Sequence, residues 1–169
     1  MRPHTAGIIH SHTSFSDPAL RNKPGRIQMT EMKYPVQLKL RIDWSELDLF
    51  GHVNNVSFFK YIQAARVHYW EKCGLTALHK KSNIGPLLAF CSCDFRQPLF
   101  YPGHITLYSR MEFIKNTSFG IVHKLVNQKD ITVAEAKDVM VLFDYTLHQK
   151  TSFPKTLKAK IEKLEGRTF

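Results

Sequence analysis

From Tyr34 onward the chain alternates: Val36, Leu38, Leu40 and Ile42 are separated by Gln37, Lys39, Arg41 and Asp43, the period of two expected of a half-buried strand. The pattern then changes. After a polar connection over residues 44–53, the apolar residues Val56, Phe58, Phe59, Tyr61, Ile62, Ala65, Tyr69, Trp70 and Cys73 cover most of a helical wheel, with Ser57, Lys60, Gln63, His68 and Glu71 as minority polar positions. Such a helix is expected to be wrapped by other elements rather than laid on a surface. Asn54 or Asn55 suits its N-cap and Gly74 its left-handed C-terminal residue. Residues 75–83, rich in Lys and His, read as an exposed loop or short helix.

Beyond that point the helical period disappears until the last twenty residues. Four runs rich in Phe, Val, Ile, Tyr and Leu follow at about 86–96, 103–115, 118–127 and 131–145, separated by turn residues at 98–103, 116–117 and 128–130. Short polar turns between consecutive strands predict a meander of antiparallel pairs. Pro154 then opens a basic segment with Leu157, Ile161 and Leu164 at helical spacing. The order is that of an α+β domain in which a curled antiparallel sheet wraps one long central helix. One helix leaves the outer face and the edges of such a sheet open, which predicts dimerisation, as a homodimer or a homotetramer.

Composition sharpens this picture in a few places. A chain of 169 residues with 43% hydrophobic content supports a single core. Residues 1–31, with three Pro, several Ser and Thr and few large apolar side chains, read as a disordered leader or extension, which leaves 32–169 as the folded domain. No window has the apolar length of a membrane span and no apolar block marks a secretory signal, so a soluble, cytoplasmic protein is expected. Cys73, Cys91 and Cys93 lack metal-ligand spacing and read as reduced, buried thiols, and the nine scattered His suggest no metal and no cofactor. The net charge of +10 is concentrated partly in the tails, with six Lys or Arg against two acids in residues 150–169. This suits a phosphate-bearing ligand or an acidic carrier protein, whereas no dense basic run or motif points to nucleic acid.

The chemistry-bearing stretch is Ser45-Glu46-Leu47-Asp48-Leu49-Phe50-Gly51-His52-Val53-Asn54-Asn55, immediately before the central helix. It resembles the acid-x-Asp-x-x-Gly-His-Val-Asn-Asn signature of the hot-dog-fold acyl-CoA thioesterases of the 4-hydroxybenzoyl-CoA thioesterase type. Ala64-Ala65-Arg66, Cys73-Gly74-Leu75, Pro98-Leu99-x-x-Pro102 and Lys115-Asn116-Thr117-Ser118-Phe119 extend the resemblance over about residues 34–158, while Gln97 and Gly103 depart from the Arg and Asp common there. The resemblance implies a hot-dog fold and hydrolysis of an acyl-CoA to a free acid and CoA, at a site at a dimer interface. Two other outcomes stay open: a thioesterase acting on acyl-carrier protein, and a non-catalytic acyl-CoA-binding dimer.

Thioester hydrolysis needs a nucleophile or base on one side of the carbonyl and positive potential where the oxyanion forms. Asp48 can supply the first, as nucleophile or general base, although capping of a turn is the bland role for the same residue. The helix N-terminus can supply the second, and by its place in the motif the backbone N–H of Asn55 is the carbonyl contact. Gly51 permits a tight turn and a close approach of substrate to backbone. His52 reads first as a packed loop histidine, Asn54 as a cap, and Glu46 as a solvated or supporting acid. Thr117 and Ser118 divide about equally between turn formation and substrate contact, and all of these except Glu46 are candidate substrate-binding positions.

Overall fold

The computed structural model describes residues 34–169, so the expected leader over 1–31 lies outside the described residues. The first strand, β1 (Val36–Arg41), ends at a single 3-10 turn, Trp44–Glu46. Asp43 and Glu46 close that turn reciprocally: the Asp43 side chain accepts from the Ser45 N–H, and the Glu46 side chain from the Asp43 N–H. The central helix α1 (Asn55–Cys73) follows. Asn54 caps it by accepting from the Val56 N–H at 2.9 Å, and Gly74 ends it at φ +89°. Gly74 also begins α2 (Leu75–Ser82), so the expected loop or short helix is a helix, anchored by the buried Leu75.

The long strands are β2 (Ile84–Phe95), β3 (His104–Ile114), β4 (Ser118–Asn127) and β5 (Thr132–Asp144). A two-residue strand, β6 (Gln149–Lys150), pairs with β5, and α3 (Lys155–Glu165) closes the chain. The sheet order is β1-β3-β4-β5-β2, antiparallel throughout. This corrects the full meander: β3, β4 and β5 are consecutive neighbours, but β2 lies beyond β5 and never touches β3. The cause is the connection at residues 96–103. Arg96 and Gln97 donate their N–H groups to the Val133 carbonyl of β5, and Pro98 and Pro102 cannot donate to a ladder. The chain therefore crosses the end of the sheet and re-enters next to β1, where the Ile42 N–H meets the Gly103 carbonyl.

Register shifts at Leu88/Phe90 and Met111/Phe113 bend the long strands, and the sheet curls around one side of α1. Phe58, Tyr61, Ile62, Ala65 and Tyr69 of α1 meet alternate residues of β3, β4 and β5, among them Leu107, Ile121, Leu125 and Met140. The enclosure of α1 is one-sided in this chain: Val56, Phe59 and Val67 stay exposed. Nor does α1 cover the sheet alone, because Leu157 and Ile161 of α3 fill the core at its other end. There the buried Glu165 carboxylate accepts from the Tyr69 hydroxyl at 2.5 Å and the Met111 N–H at 2.6 Å.

The core is divided. One apolar cluster gathers around Phe58, Ile62, Leu107 and Leu125, a second around Tyr69, Met111, Phe119 and Met140. Between them runs a buried polar belt. Ser109 Oγ lies 2.8 Å from His123 Nδ1, His123 Nε2 lies 3.2 Å from Asp138 Oδ2, and Arg66 of α1 reaches that same oxygen at 2.9 Å. Burial works to raise the Asp138 carboxyl, but hydrogen bonds from His123 and Cys91 and the charges of His123 and Arg66 overcome it and hold the group below its ordinary value.

Candidate functional site

The loop between the 3-10 turn and α1 is held by its own backbone. Leu47 and Val53 form an isolated antiparallel bridge, the Asp48 N–H donates to the His52 carbonyl at 2.7 Å, and the Val53 N–H donates to the Leu99 carbonyl at 2.9 Å. Gly51 turns the chain at φ +78°, a conformation costly for residues with a Cβ. Its requirement is conformational, since a Cβ there would meet open space.

Within this loop Asp48 uses only half of its carboxylate for structure. Oδ1 accepts from the N–H groups of Phe50, at 2.8 Å, and His52, at 3.1 Å; Oδ2 has no partner among the described residues. A capping role for Oδ1 therefore leaves the second oxygen open to another role. Seven residues on, the helix N-terminus distributes its donors in a similar way. Val56 N–H goes to the Asn54 side chain and Ser57 N–H to the Asn54 carbonyl, leaving the exposed Asn55 N–H unpartnered among the described residues. A half-free carboxylate and a free backbone donor at a helix start are thus set on one short loop.

The other expected positions separate. The ring of His52 stacks edge-on against Phe100 with centroids 5.0 Å apart, the packing of a loop histidine. Asn54 is the cap. Thr117 and Ser118 sit at the opposite end of the sheet: Asn127, at the far end of β4, pairs with Ile105 beside the Gly103–Ile42 contact, while Ser118 pairs with Val141. Nine residues of strand place Ser118 about 30 Å from that end. One chain does not bring them to Asp48.

Glu46 carries more than a supporting acid would suggest. Its Oε2 accepts from the buried Tyr61 hydroxyl of α1 as well as from the Asp43 N–H. Burial, reinforced by the Glu46 hydrogen bond and charge, raises the Tyr61 hydroxyl above its ordinary value and keeps it a donor. The capping-box spacing Asp43–Glu46 was available as a signal; the tie to Tyr61, fifteen residues away, was not. Beside the loop, a groove of about 300 Å³ is lined by Leu99, Phe100, Gly103, His104, Gln128 and Lys129. Among the described residues no group of three or more His, Cys, Asp or Glu could hold a metal ion, and no helix is long and apolar enough to cross a membrane.

The family model for the thioesterase-like superfamily matches residues 42–161, most of the chain. The chain belongs to that superfamily. The matched span contains the Asp48 loop, α1 and all of the long strands. Among solved structures it is similar to a thioesterase from Thermus thermophilus in complex with coenzyme A and Zn, at TM-score 0.71 and 22% identity over 80% of this chain and 98% of that one. It is also similar to a DHNA-CoA thioesterase from Staphylococcus aureus, at TM-score 0.67 and 15% identity over 79% and 95%. These establish the α+β hot-dog fold. The Bacillus subtilis protein YsmA is 26% identical over 80 residues, which spans 47% of this chain and about half, 53%, of that relative.

Proposed function

We propose that this superfamily member hydrolyses acyl-CoA thioesters, with Asp48 as nucleophile or general base and the Asn55 N–H as the donor to the developing oxyanion. The observation that carries the reading is the division of labour at Asp48, whose Oδ1 is fixed by two backbone donors while Oδ2 is free among the described residues. A carboxylate so held loses little further freedom on reaching the transition state. The Asn55 N–H adds the positive end of the α1 dipole where charge develops. His104 and Lys129, on the neighbouring groove, are suited to the phosphates of CoA. In support of the substrate class, one similar structure holds coenzyme A and another is a DHNA-CoA thioesterase.

The working unit in this reading is at least a dimer. β2 is an edge strand, and Leu87, Leu88, Phe90 and Phe95 along it are 41–53% exposed. A second copy pairing there would cover them together with the free face of α1. It would also be the means of bringing Thr117 and Ser118 to an Asp48 that their own chain holds at the other end of the sheet. A carrier-protein thioester is the second reading, favoured by the exposed lysines Lys155, Lys160 and Lys163 of α3.

A panel of aromatic and aliphatic acyl-CoA esters, with thiol release as the readout and acyl-carrier protein esters alongside, tests these readings. Thiol release dependent on Asp48 supports hydrolysis. Tight binding of the esters with no thiol released would replace it with a binding protein.

A further inference from the structure

We propose that Tyr61 and Glu46 form a positioning pair that sets the Asp48 loop against the N-terminus of α1. The inference rests on the reading of Asp48 and Asn55 as the reacting groups, but not on which thioester they act upon.

Four segments converge on Glu46. Its carboxylate accepts from the Asp43 N–H, where β1 has just ended, and from the Tyr61 hydroxyl, two turns into α1. Its carbonyl accepts from the Asn54 N–H at 2.8 Å and faces Ser57 Oγ at 3.4 Å. The residue thus touches the strand exit, the helix cap, the first helical turn and the second. Asp48 lies two residues downstream, and Leu47, between them, is bridged to Val53. Fixing Glu46 therefore fixes where the Asp48 carboxylate begins relative to the Asn55 N–H.

Of the two groups that hold the Glu46 carboxylate, the Tyr61 hydroxyl is the one delivered by the rigid helix. Tyr61 is 3% exposed, with its ring in the same apolar cluster as Phe58 and Ile62. Its side chain cannot follow the loop, so the loop must come to it. A tyrosine kept only for its bulk would be replaced by phenylalanine without kinetic effect. A positioning tyrosine would not, because a reacting group displaced by about 1 Å loses on the order of tenfold to a hundredfold in rate.

The test uses the full chain and four variants: Tyr61→Phe, Glu46→Gln, Glu46→Ala, and Tyr61→Phe with Glu46→Ala. Tyr61→Phe should lower kcat roughly tenfold with KM within about twofold. Glu46→Gln, which keeps an acceptor for both donors, should lie nearer wild type than Glu46→Ala. The double variant should be no slower than Glu46→Ala alone, since the two groups act as one. Independently of turnover, amide hydrogen exchange at Phe50 and His52 should quicken in Tyr61→Phe. Unchanged kcat together with unchanged exchange would make Tyr61 an ordinary core residue and overturn the pair. If Tyr61→Phe did not fold, Glu46→Gln matching Glu46→Ala in kcat and exchange would overturn it equally. A wild type that turned over no thioester would sink the hydrolase reading instead, and the exchange rates would still decide the pair.

Discussion

Asp48 and His52 clasp each other twice: the Asp48 N–H donates to the His52 carbonyl at 2.7 Å, and the His52 N–H donates to Asp48 Oδ1 at 3.1 Å. Asparagine in place of Asp48 presents the same accepting Oδ1 and preserves both bonds. Asp48→Asn should therefore melt within about a degree or two of wild type and keep its affinity for acyl-CoA, while single-turnover thiol release falls by roughly 10²–10⁴-fold. Near-equal rates would return Asp48 to the turn.

Strand β2 has no neighbour on its outer side among the described residues, and a second copy pairing there needs its free N–H and C=O groups in register. Ala89, at the register shift between Leu88 and Phe90, is the place to test this. Ala89→Pro should shift the assembly to monomer in light scattering at micromolar concentration and abolish turnover with it. A monomeric wild type with full activity would refute the dimer.

Arg66 and Asp138 are a buried pair, with side chains 9% and 0% exposed. Removing Arg66 leaves the buried Asp138 carboxylate without its guanidinium, with only His123 and Cys91 beside it, so Arg66→Met should lower unfolding stability by about 3–5 kcal/mol in urea titration. A loss below about 1 kcal/mol would show that the pair is dispensable to the fold.

Because the folded Asp138 carboxyl is held below its ordinary value, its contribution to stability has a definite sign. The contribution is complete above the unfolded carboxylate value of about 3.9 and disappears as pH falls through the lower folded value. Wild-type stability should thus show an acid-limb loss below about pH 4 that Asp138→Asn lacks, although the variant starts lower. An identical acid limb in both proteins would assign the loss to other carboxylates.

Burial pushes all three thiols up, Cys91 to about 12 and Cys73 and Cys93 to about 11. At pH 7.5 almost none is thiolate, even though Cys91 and Cys93 are only half-buried. Iodoacetamide should modify the native protein far more slowly than free cysteine, and urea should restore ordinary reactivity. Rapid labelling of Cys91 in native protein would contradict this.

What could be read from the sequence was whatever depends on local chemistry. Asn54 and Gly74 end α1 because a side-chain acceptor and a left-handed residue are local requirements, and the long strands fall within two residues of their apolar runs. Pairing is not local. Nothing in residues 86–96 marks β2 as the neighbour of β5, and the prolines that decide it lie in the connection. Buried charges were hidden for a related reason: nothing local to Arg66, Asp138 or Glu165 signals burial, because their partners lie 54–96 residues away. In the loop before α1, the motif singled out Asp48 and Asn55 as candidates but could not show that Asp48 Oδ1 is held by the turn while Oδ2 has no partner among the described residues.

The belt from Ser109 to Arg66 splits the interior into two compartments that do not share a packing problem. Apolar side chains on one side cannot slide to fill a void on the other, because charged and hydrogen-bonded groups stand between them. A substitution in the half beside the Asp48 loop, with Phe58 and Ile62, is therefore decoupled from the half clamped by α3, which keeps its own arrangement. The two halves are in that sense separately adjustable, and the seam between them is drawn in hydrogen bonds.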